Sequence, residues 1–502
     1  MAALLTAANL RSSRPPTWPT KPCVAQVVRY RYLSPLSQFP GPFWGSVTRL
    51  WIAYHNVKGD EPRVFRELHP APRPRGARDA HHAVRGRRDA PARRLLAPRP
   101  QVAALHHRQL RQDREPVQHA GRQDAKTHAR FRKIAAAPYS FPNVRRMEPL
   151  LDGNIERWMD KLQTRFAGTG KAFDFAPWAV YMAYDIISEV GFGQPFGFTE
   201  QERDVEGLIQ GFHDGADGVW RHGAVLALYR LGQDSGIGTL MRFRDRLIAE
   251  RIEANEKGTA GGRIDLLQTF LEARDEDGRP LDLEYVRAEI LLVLLAGADT
   301  TGTTVNALTT HLMAHPAAYD KVNGRDRRGR QGWQVVGHAA ARRGGGALPL
   351  LRGVRARDDA AQPGDSRGWR GPGGMELYGK HAPEGTEVTC NQWVVHRDPA
   401  VYGDDADEFR PERWLENEAR TREMLKYSMA FGYGPRECLG RHIAMMELFK
   451  GPLQFLRHFR VEALDRARPG KYVYKGGIGY FEEVTIKIER RELDVKRLGS
   501  LI

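Results

Sequence analysis

The pattern of hydrophobic and polar positions predicts a mainly helical chain. Between residues 145 and 166, apolar side chains recur at helical spacing and form one stripe, made of Met147, Leu150, Leu151, Ile155, Trp158, Met159 and Leu162. Residues 176–190, 205–212 and 240–256 show similar spacing. The sequences GFGQPFGF and GTAGG interrupt them and predict breaks between helices. This part of the chain is therefore expected to be a set of packed helices.

The pattern of apolar and polar residues changes after Met375 and there indicates strands. Residues 376–395 (ELYGKHAPEGTEVTCNQWVV) predict a strand, a proline- and glycine-containing turn and a second strand. Residues 479–489 alternate with a period of two, which predicts another strand. The expected fold class is mainly α with a small β portion.

A long apolar segment, residues 282–315, predicts a helix that passes through the core. Asp282 is a plausible N-cap, and residues 290–298 carry no polar side chain. Asp299 and Thr300 follow, next to the small residues Ala296 to Ala298, which would let a ligand approach the backbone closely. A carboxylate beside a hydroxyl in mid-helix suits proton transfer. A second interpretation is that Thr300 or Thr301 bonds back to a carbonyl and bends the helix.

The segment FGYGPRECLGRH, which begins at Phe431, presents Cys438 just before a helical run. Helix N-terminal amides stabilise a thiolate, and a thiolate placed there is a metal ligand. Gly434 and Gly440 would allow tight turns around the sulfur, Phe431 would shield it, and Arg436 would meet an anionic group. An inert cysteine is one alternative; a zinc half-site of Cys438 and His442 is another, but it lacks a second pair of ligands. A single cysteine ligand suits haem iron.

The positive charge of the chain is concentrated in two tracts. The 502 residues carry a formal net charge of +16. Residues 69–125 hold 13 arginines, no lysine and 5 acidic residues, whereas residues 324–374 hold 11 arginines, no lysine and 4 acidic residues. These tracts contribute +8 and +7, so the rest of the chain is close to neutral.

Neither tract has the composition of a packed domain. The first contains no aromatic residue, and the second contains 13 glycines and two aromatics. Neither can bury enough apolar surface to offset the entropy of ordering. The tracts could be arginine-rich arms for nucleic acid or a membrane surface, solvated inserts, or coding sequence translated in the wrong frame. The abrupt change in composition favours the wrong frame, and the scarcity of aromatics for base stacking argues against a nucleic-acid partner.

The cysteine count and hydropathy limit the class of protein further. Three separated cysteines, Cys23, Cys390 and Cys438, cannot form a disulfide framework or a four-thiolate zinc site, which indicates a reducing, intracellular setting. No run of about 18 consecutive apolar residues occurs, because the apolar residues 1–10 lead into Arg11. We therefore expect no membrane-spanning helix.

Two motifs resemble those of the cytochrome P-450 monooxygenases and occur in the order that this family has. FGYGPRECLG matches their haem-binding loop F-x-x-G-x-R-x-C-x-G at every fixed position, and AGADTT at 296–301 resembles their oxygen-activating motif A/G-G-x-D/E-T. FRPERW at 409–414 looks like their Pro-Glu-Arg-aromatic segment, and HARFR at 128–132 resembles their haem-propionate motif. Residues 33–42 resemble the proline hinge of membrane-bound members, and the flanking sequence is most similar to fungal, pisatin demethylase-like enzymes.

The resemblance implies a cytochrome P-450 fold and assigns roles to residues. Cys438 would be the axial thiolate and metal ligand of haem b (iron protoporphyrin IX), with Phe431, Gly434 and Gly440 around it. The residues that would meet the haem propionates are Arg436, Arg132 and His128. Asp299 and Thr300 would deliver protons to dioxygen.

It also implies partners and a setting. Electrons would come from NADPH through a separate NADPH-cytochrome reductase, and one oxygen atom would be inserted into a lipophilic small molecule, in fungal secondary or xenobiotic metabolism. The protein would lie at the endoplasmic reticulum membrane surface, and no nucleic-acid partner is expected. The resemblance covers roughly residues 30–68, 126–323 and 375–490.

The two tracts remove parts that the family needs. No E-x-x-R sequence occurs between residues 305 and 408, where the family has an ion pair that supports its haem-binding core. An Arg413 without that partner would lose a buried charge pair, at a cost of about 3–5 kcal/mol. The first tract replaces the stretch that supplies the early sheet and the cover of the substrate site.

The expected organisation is therefore an N-terminal segment, residues 1–32, without a clear membrane anchor, and one monooxygenase domain, residues 33–502. Tracts 69–125 and 324–374 interrupt that domain and leave the fold incomplete. Two other functions stay open: a catalytically silent haem-binding or non-folding product of a frame-disrupted gene, and a basic nucleic-acid-binding protein.

Overall fold

The computed structural model describes the helical body and its small sheets. The described residues are 24–25, 27–48, 50–68, 125–214, 236–259, 261–262, 264–328, 373–377, 379–383, 391–434, 437–475 and 478–491. Cys23, Cys390, Arg436 and nearly all of both arginine-rich tracts lie outside them.

The first half of the described chain is mainly helical. A short π-helical turn (Arg29–Leu33) and a 3₁₀ turn (Pro35–Gln38) precede them. In chain order the helices are α1 (Phe43–Val47), α2 (Leu50–Lys58), α3 (Glu61–Glu67), α4 (Ala125–Ala136), α5 (Phe141–Arg146), α6 (Glu148–Arg165), α7 (Ala176–Phe192), α8 (Phe198–Gln201), α9 (Gly236–Glu256) and α10 (Leu266–Glu272). Residues 208–214 are also helical.

The helices of the second half include the central pair and the helix after the cysteine. They are α11 (Leu283–Ala296), α12 (Asp299–Ala314), α13 (Pro316–Arg328), α14 (Gln392–Val395), α15 (Pro399–Tyr402), α16 (Arg413–Glu416), α17 (Glu418–Lys426) and α18 (Arg441–His458). The predicted N-cap is confirmed, because the Asp282 side chain accepts a hydrogen bond from the Glu284 amide at 3.1 Å.

The strands form three small antiparallel sheets in the described residues. They are β1 (Phe173–Asp174), β2 (Met375–Leu377), β3 (Lys380–Ala382), β4 (Phe459–Ala463), β5 (Lys471–Lys475), β6 (Ile478–Glu482) and β7 (Thr485–Arg490). The largest sheet has the order β1-β7-β4, with Val461 opposite Ile488. Strands β2 and β3 pair with each other, as do β5 and β6. The prediction of a mainly α protein with a small β portion is confirmed.

The core lies where α7 packs between α6 and α12, and α18 packs against both α6 and α12. Trp158 of α6 is fully buried and its indole N–H donates to the Trp178 carbonyl of α7 at 3.0 Å. Phe175 and Phe455 stack at 4.8 Å between ring centroids and join α7 to α18. These aromatic contacts bury the apolar stripe that the sequence predicts on residues 145–166.

Two predicted helices are each divided in the structure. The stripe of residues 145–166 spans α5 and α6, which separate at Met147 because Pro149 lies in the first turn of α6. The predicted central helix is α11 followed by α12, with Gly297 and Ala298 between them. Asp299 is thus the first residue of a helix, not a mid-helix residue as the sequence predicted.

The predicted strands also differ from the observed ones. Strands β2 and β3 are joined through residues 378–379, so the turn falls inside the predicted first strand. Gln392–Val395 is helical because the Asn391 side chain caps it, accepting from the Val394 amide at 3.2 Å. Residues 479–489 form two strands, since Glu483 has a φ of +57° and ends β6.

One helical stretch in the described part of the chain, Leu283–Ala314, is long and apolar enough to cross a membrane. It comprises α11 and α12 and is mostly buried in the protein. Its apolar character matches the expectation that this segment passes through the core.

Arg413 has a carboxylate partner, contrary to the loss expected from the missing E-x-x-R sequence. Its Nη1 donates to Asp405 Oδ1 at 2.8 Å, and Nη2 donates to the Asp405 carbonyl at 2.8 Å. Arg410 also donates to the other Asp405 oxygen. Although burial raises the pKa of Asp405, these arginines lower it below its usual value. The buried guanidinium of Arg413 is thus held by a turn close to it in sequence.

We expect Asp405→Ala to lower the free energy of unfolding by about 1.5–3 kcal/mol, because Arg413 stays buried and loses a charged acceptor. Chemical denaturation of the purified protein measures this. Asp404→Ala is the matched control, since the neighbouring Asp404 is exposed, and should change stability by less than about 0.5 kcal/mol. Equal effects of the two variants would show that the Arg413 pair adds nothing.

Candidate functional site

Cys438 lies at the end of a tight loop that leads into α18. Gly432 and Gly434 have φ values of +71° and +70°, a conformation that favours glycine. The Cys438 amide donates to the Phe431 carbonyl at 2.8 Å and closes the loop. The cysteine itself is exposed. The loop therefore presents the thiol at the N-terminal end of α18.

The predicted neighbours of Cys438 differ in how they shape the loop. Gly440 has a φ of −72°, which any residue can adopt. A Cβ added there would lie 3.9 Å from Sγ, an ordinary contact, so Gly440 is not needed for a left-handed turn. Phe431 is half-buried, and the Arg441 guanidinium carbon lies 5.6 Å from its ring centroid.

Helix α4 carries two predicted site residues, spaced one helical turn apart. His128 is 3% exposed, and Arg132 is half-buried. Burial lowers the pKa of Arg132, while the negative charges of Glu437 and Cys438 act in the opposite direction. That electrostatic effect requires Arg132 to lie near the cysteine loop. A cation beside Cys438 favours its thiolate form.

Asp299 is buried at the start of α12 and is paired with a histidine. Its Oδ1 lies 3.0 Å from His213 Nε2, and its side chain is 2% exposed, against 28% for His213. The His213 ring stacks on Tyr480 at 4.8 Å. Burial raises the pKa of the Tyr184 hydroxyl, and the negative charge of Asp299 raises it further. Tyr184 therefore lies near Asp299. A partly exposed imidazole thus contacts a buried carboxylate.

Thr300 makes the backbone contact of the second interpretation. Its hydroxyl donates to the Ala296 carbonyl at 2.9 Å, and that of Thr301 donates to the Gly297 carbonyl at 3.4 Å. These bonds lie at the junction of α11 and α12, as expected for hydroxyls that bend a helix. Thr300 is also half-exposed, so this contact does not exclude a role in proton transfer.

Gly297 closely approaches a neighbouring helix, α7. A Cβ on Gly297 would overlap the Ile187 side chain of α7. A Cβ on Gly302 would lie 2.8 Å from Val180 Cα, also in α7. Both glycines allow α7 to pack closely on the central pair. Ala296 is exposed, so of the small residues 296–298 it is the most accessible to a ligand.

Comparison with known protein families decides the assignment. A sequence model of the family described as cytochrome P450 matches residues 81–324 and 373–479. The chain belongs to the cytochrome P450 family. The match begins inside the first arginine-rich tract and omits residues 325–372 of the second.

Fungal members of the family are similar to this cytochrome P450 over most of their length. Quiannulatic acid synthase of Emericella variicolor is 30% identical over 478 residues, which cover 85% of this chain and 87% of that protein. Cytochrome P450 monooxygenase gsfF of Penicillium aethiopicum is 28% identical over 476 residues, covering 89% and 92%. Cytochrome P450 monooxygenase hepC of Aspergillus oryzae is 27% identical over 467 residues, covering 86% and 88%. The resemblance to fungal monooxygenases is confirmed.

The family implies haem, and the site has the donor set that haem with one thiolate ligand requires. Cys438 is exposed at a helix start, and Arg132 and His128 lie on one face of α4, with Arg132 near the cysteine. No group of three or more His, Cys, Asp or Glu side chains that could hold a metal ion occurs within the described residues. The residues of this region therefore fit a haem site with a single cysteine ligand.

Sequence reasoning missed three buried or half-buried groups near the site: His213, Tyr184 and Glu447. His213 is 86 residues from Asp299 in sequence, so no local pattern identifies it. Glu447 gives a signal, since it is an acid in the apolar run MMELF of α18. Its side chain is fully buried, and neither carboxylate oxygen has a hydrogen-bond partner among the described residues. Burial raises its pKa to about 8, and the nearby Thr301 hydroxyl acts in the opposite direction.

Glu447 makes the stability of the protein depend on pH. Its pKa is about 8 in the folded state and 4.5 in the unfolded chain, so the folded state holds the proton more tightly. Between these values the unfolded state is ionised while the folded state is not, and the free energy of unfolding falls as pH rises, by up to about 5 kcal/mol. We expect Glu447→Gln to remove this slope and to be the more stable protein at pH 8.

Urea denaturation at a series of pH values measures the slope. Glu462→Gln serves as the control, because Glu462 is exposed on β4 and should leave the slope unchanged. A Glu447→Gln protein with the same pH dependence as the wild type would contradict the assignment of a neutral, buried Glu447.

Proposed function

We propose that this cytochrome P450 is an NADPH- and O₂-dependent monooxygenase that inserts one oxygen atom into a lipophilic small molecule. The observation that carries the proposal is Cys438 at the start of α18, in a loop closed by its own amide and near Arg132. Cys438 would supply the thiolate ligand of haem b. Arg132, His128 and Arg436 would hold the propionates, and Phe431, Gly434 and Gly440 would form the loop around the sulfur.

The protein's own residues would position the reactants and supply protons. Bound haem supplies the dioxygen chemistry of the family. The balanced reaction converts R–H, O₂, NADPH and one proton to R–OH, water and NADP⁺, with the electrons passed on by a separate flavoprotein reductase. Asp299 and Thr300 would supply protons, and the buried carboxylate of Asp299 lies 3.0 Å from the partly exposed ring of His213. Proton supply from positioned groups favours substrate oxidation over release of reduced oxygen as peroxide.

The N-terminal part of the described chain supports a membrane-surface location. Large apolar side chains are exposed there, namely Val24, Val28, Tyr32, Leu33, Phe43, Trp44, Leu50, Tyr54 and Val57. Aromatic side chains of this kind favour the interface between lipid and water. We propose that this face rests on the endoplasmic reticulum membrane, where a lipophilic substrate would be concentrated. The likeness to fungal relatives supports a substrate of secondary or xenobiotic metabolism.

Ligation by Cys438 is tested by the optical spectrum of the haem-loaded protein. After reduction and exposure to carbon monoxide, we expect the red-shifted Soret band of a thiolate adduct, and we expect Cys438→Ser to abolish that band. Haem content measured after extraction is the control for loss of cofactor. A serine variant that kept the band would refute the assignment.

Proton delivery is tested with Thr300→Ala, which should raise the hydrogen peroxide formed per NADPH consumed while haem binding persists. Thr304→Ala is the matched control, because its hydroxyl makes the same kind of bond, to the Thr300 carbonyl at 2.8 Å. If both variants remained as coupled as the wild type, the hydroxyl of Thr300 would serve only to bend the helix.

A further inference from the structure

The loop that presents Cys438 begins at Met429. Helix α17 ends at Lys426, and the Gly432 amide donates to the Met429 carbonyl at 2.8 Å, which makes Met429 the first residue of a turn. The turn includes Phe431, whose carbonyl accepts the hydrogen bond from the Cys438 amide. The position of Met429 therefore sets where the cysteine loop starts.

The amide of Met429 is held by a histidine from another element. It donates to Nε2 of His396 at 2.8 Å, and His396 lies 33 residues earlier, at the end of α14. His396 is 6% exposed. Because a backbone amide can only donate, Nε2 must carry a lone pair, and the ring is neutral with its proton on Nδ1. The contact thus requires one protonation state and one orientation of the imidazole.

His396 is itself held in place. Its own amide donates to the Gln392 carbonyl of α14 at 2.9 Å. The Tyr402 ring of α15 packs edge-on against the imidazole, with 6.0 Å between ring centroids and 79° between ring planes. Both Gln392 and Tyr402 are buried. The backbone and the side chain of His396 are therefore both constrained, as a residue that positions another must be.

Tyr402 connects His396 to the buried arginine of the same region. Its carbonyl accepts a hydrogen bond from Nη1 of Arg413 at 2.5 Å, and its hydroxyl donates to the Met424 carbonyl at 3.4 Å. Met424 is fully buried in α17, the helix that leads to Met429. A continuous series of contacts thus joins Arg413 to the start of the cysteine loop through Tyr402 and His396.

The cysteine loop needs such an anchor because its own residues restrict it little. Gly432 and Gly434 lack a Cβ, so many backbone conformations are open to them. Tyr433 is 44% exposed and Cys438 is exposed, so the packing of these side chains constrains the loop weakly. A metal ligand has to be held within about 0.5 Å of its productive position. A fixed first residue reduces the number of positions that the sulfur can take.

We propose that neutral His396 is a positioning residue for Cys438, because it fixes the first residue of the cysteine loop and thereby the place of the sulfur. The consequence for haem rests on the proposed ligation by Cys438, whereas the anchoring of the loop does not. His396 acts through the Met429 amide and takes no part in the chemistry.

The anchor is tested by amide hydrogen exchange of residues 429–438 in the haem-loaded protein, measured by mass spectrometry. His396→Phe keeps a planar ring but has no acceptor. We expect the amides of Met429 and Cys438 to exchange at least about fivefold faster in this variant, the factor that the loss of one hydrogen bond produces. His396→Gln supplies an acceptor oxygen and should exchange as the wild type does.

His458→Phe is the matched control. Nδ1 of His458 donates to the Gln454 carbonyl at 2.9 Å in the last turn of α18, so this variant also removes a bond between histidine and backbone, at the end of α18 away from the cysteine loop. We expect residues 429–438 to exchange as in the wild type. If His396→Phe raised exchange in the buried helices α6 and α7 as much as in the loop, the effect would be a general loss of stability and the proposal would be overturned.

The consequence for the sulfur is tested by the optical spectrum of the reduced protein with carbon monoxide. We expect the share of haem with the red-shifted Soret band to fall at least about twofold in His396→Phe, because a loosened ligand loop holds the metal less well. The share should stay at the wild-type level in His396→Gln and in His458→Phe. Total haem, measured after extraction, corrects for loss of cofactor.

The outcomes separate this proposal from the proposed function. If His396→Gln loosens the loop as much as His396→Phe does, or if both exchange like the wild type, the anchor is overturned while ligation by Cys438 stands. If the loop loosens in His396→Phe but the Soret band keeps its full share, the role in placing the sulfur is overturned. If Cys438→Ser keeps the band, the proposed function fails, and the exchange experiment still decides the anchor.

His396→Gln decides alone if His396→Phe fails to fold. Wild-type exchange and a full Soret band in the folded glutamine variant would then uphold the need for an acceptor at this position. Faster exchange of residues 429–438 in that variant would overturn it.

Discussion

The close packing of α7 on the central helix pair is the interaction on which the rest of the structure depends. Gly297 and Gly302 let the backbones approach, because a side chain at either position would overlap Ile187 or Val180. This contact fixes the direction of α12 and places Asp299 beside Tyr184. Since α18 also packs on α12, the same contact sets where the cysteine loop lies relative to the acid. Protein interiors are dense and transmit such constraints.

Electrostatics show how the chain compensates for a missing motif. No E-x-x-R sequence occurs between residues 305 and 408, yet Arg413 is held by Asp405 and by backbone carbonyls of the same turn. A buried guanidinium needs a complete set of acceptors more than it needs one particular carboxylate. Among the described residues, the local turn therefore supplies the acceptors that hold the Arg413 guanidinium.

Much of the fold could be predicted from sequence, because periodicity reports which face of a helix is buried. The stripe of residues 145–166 and the apolar run before Asp299 both lie in the core, as expected. The divisions within these helices could not be predicted. They depend on Pro149, on hydroxyls that bond back to Ala296 and Gly297, and on the contact of Gly297 with Ile187, which is distant in sequence. The helix at Gln392–Val395 was mistaken for a strand because its apolar residues fit either period, and the Asn391 cap decided between them.

The candidate site was predictable where its residues form a local motif. Cys438 and the Asp299–Thr300 pair are such motifs, whereas His213 and Glu447 depend on tertiary contacts. Iron X-ray absorption of the haem-loaded chain tests the central claim most directly, since it reports the atoms bound to the metal. The account predicts one sulfur in the first coordination shell, supplied by Cys438. A shell of nitrogen and oxygen alone would contradict it.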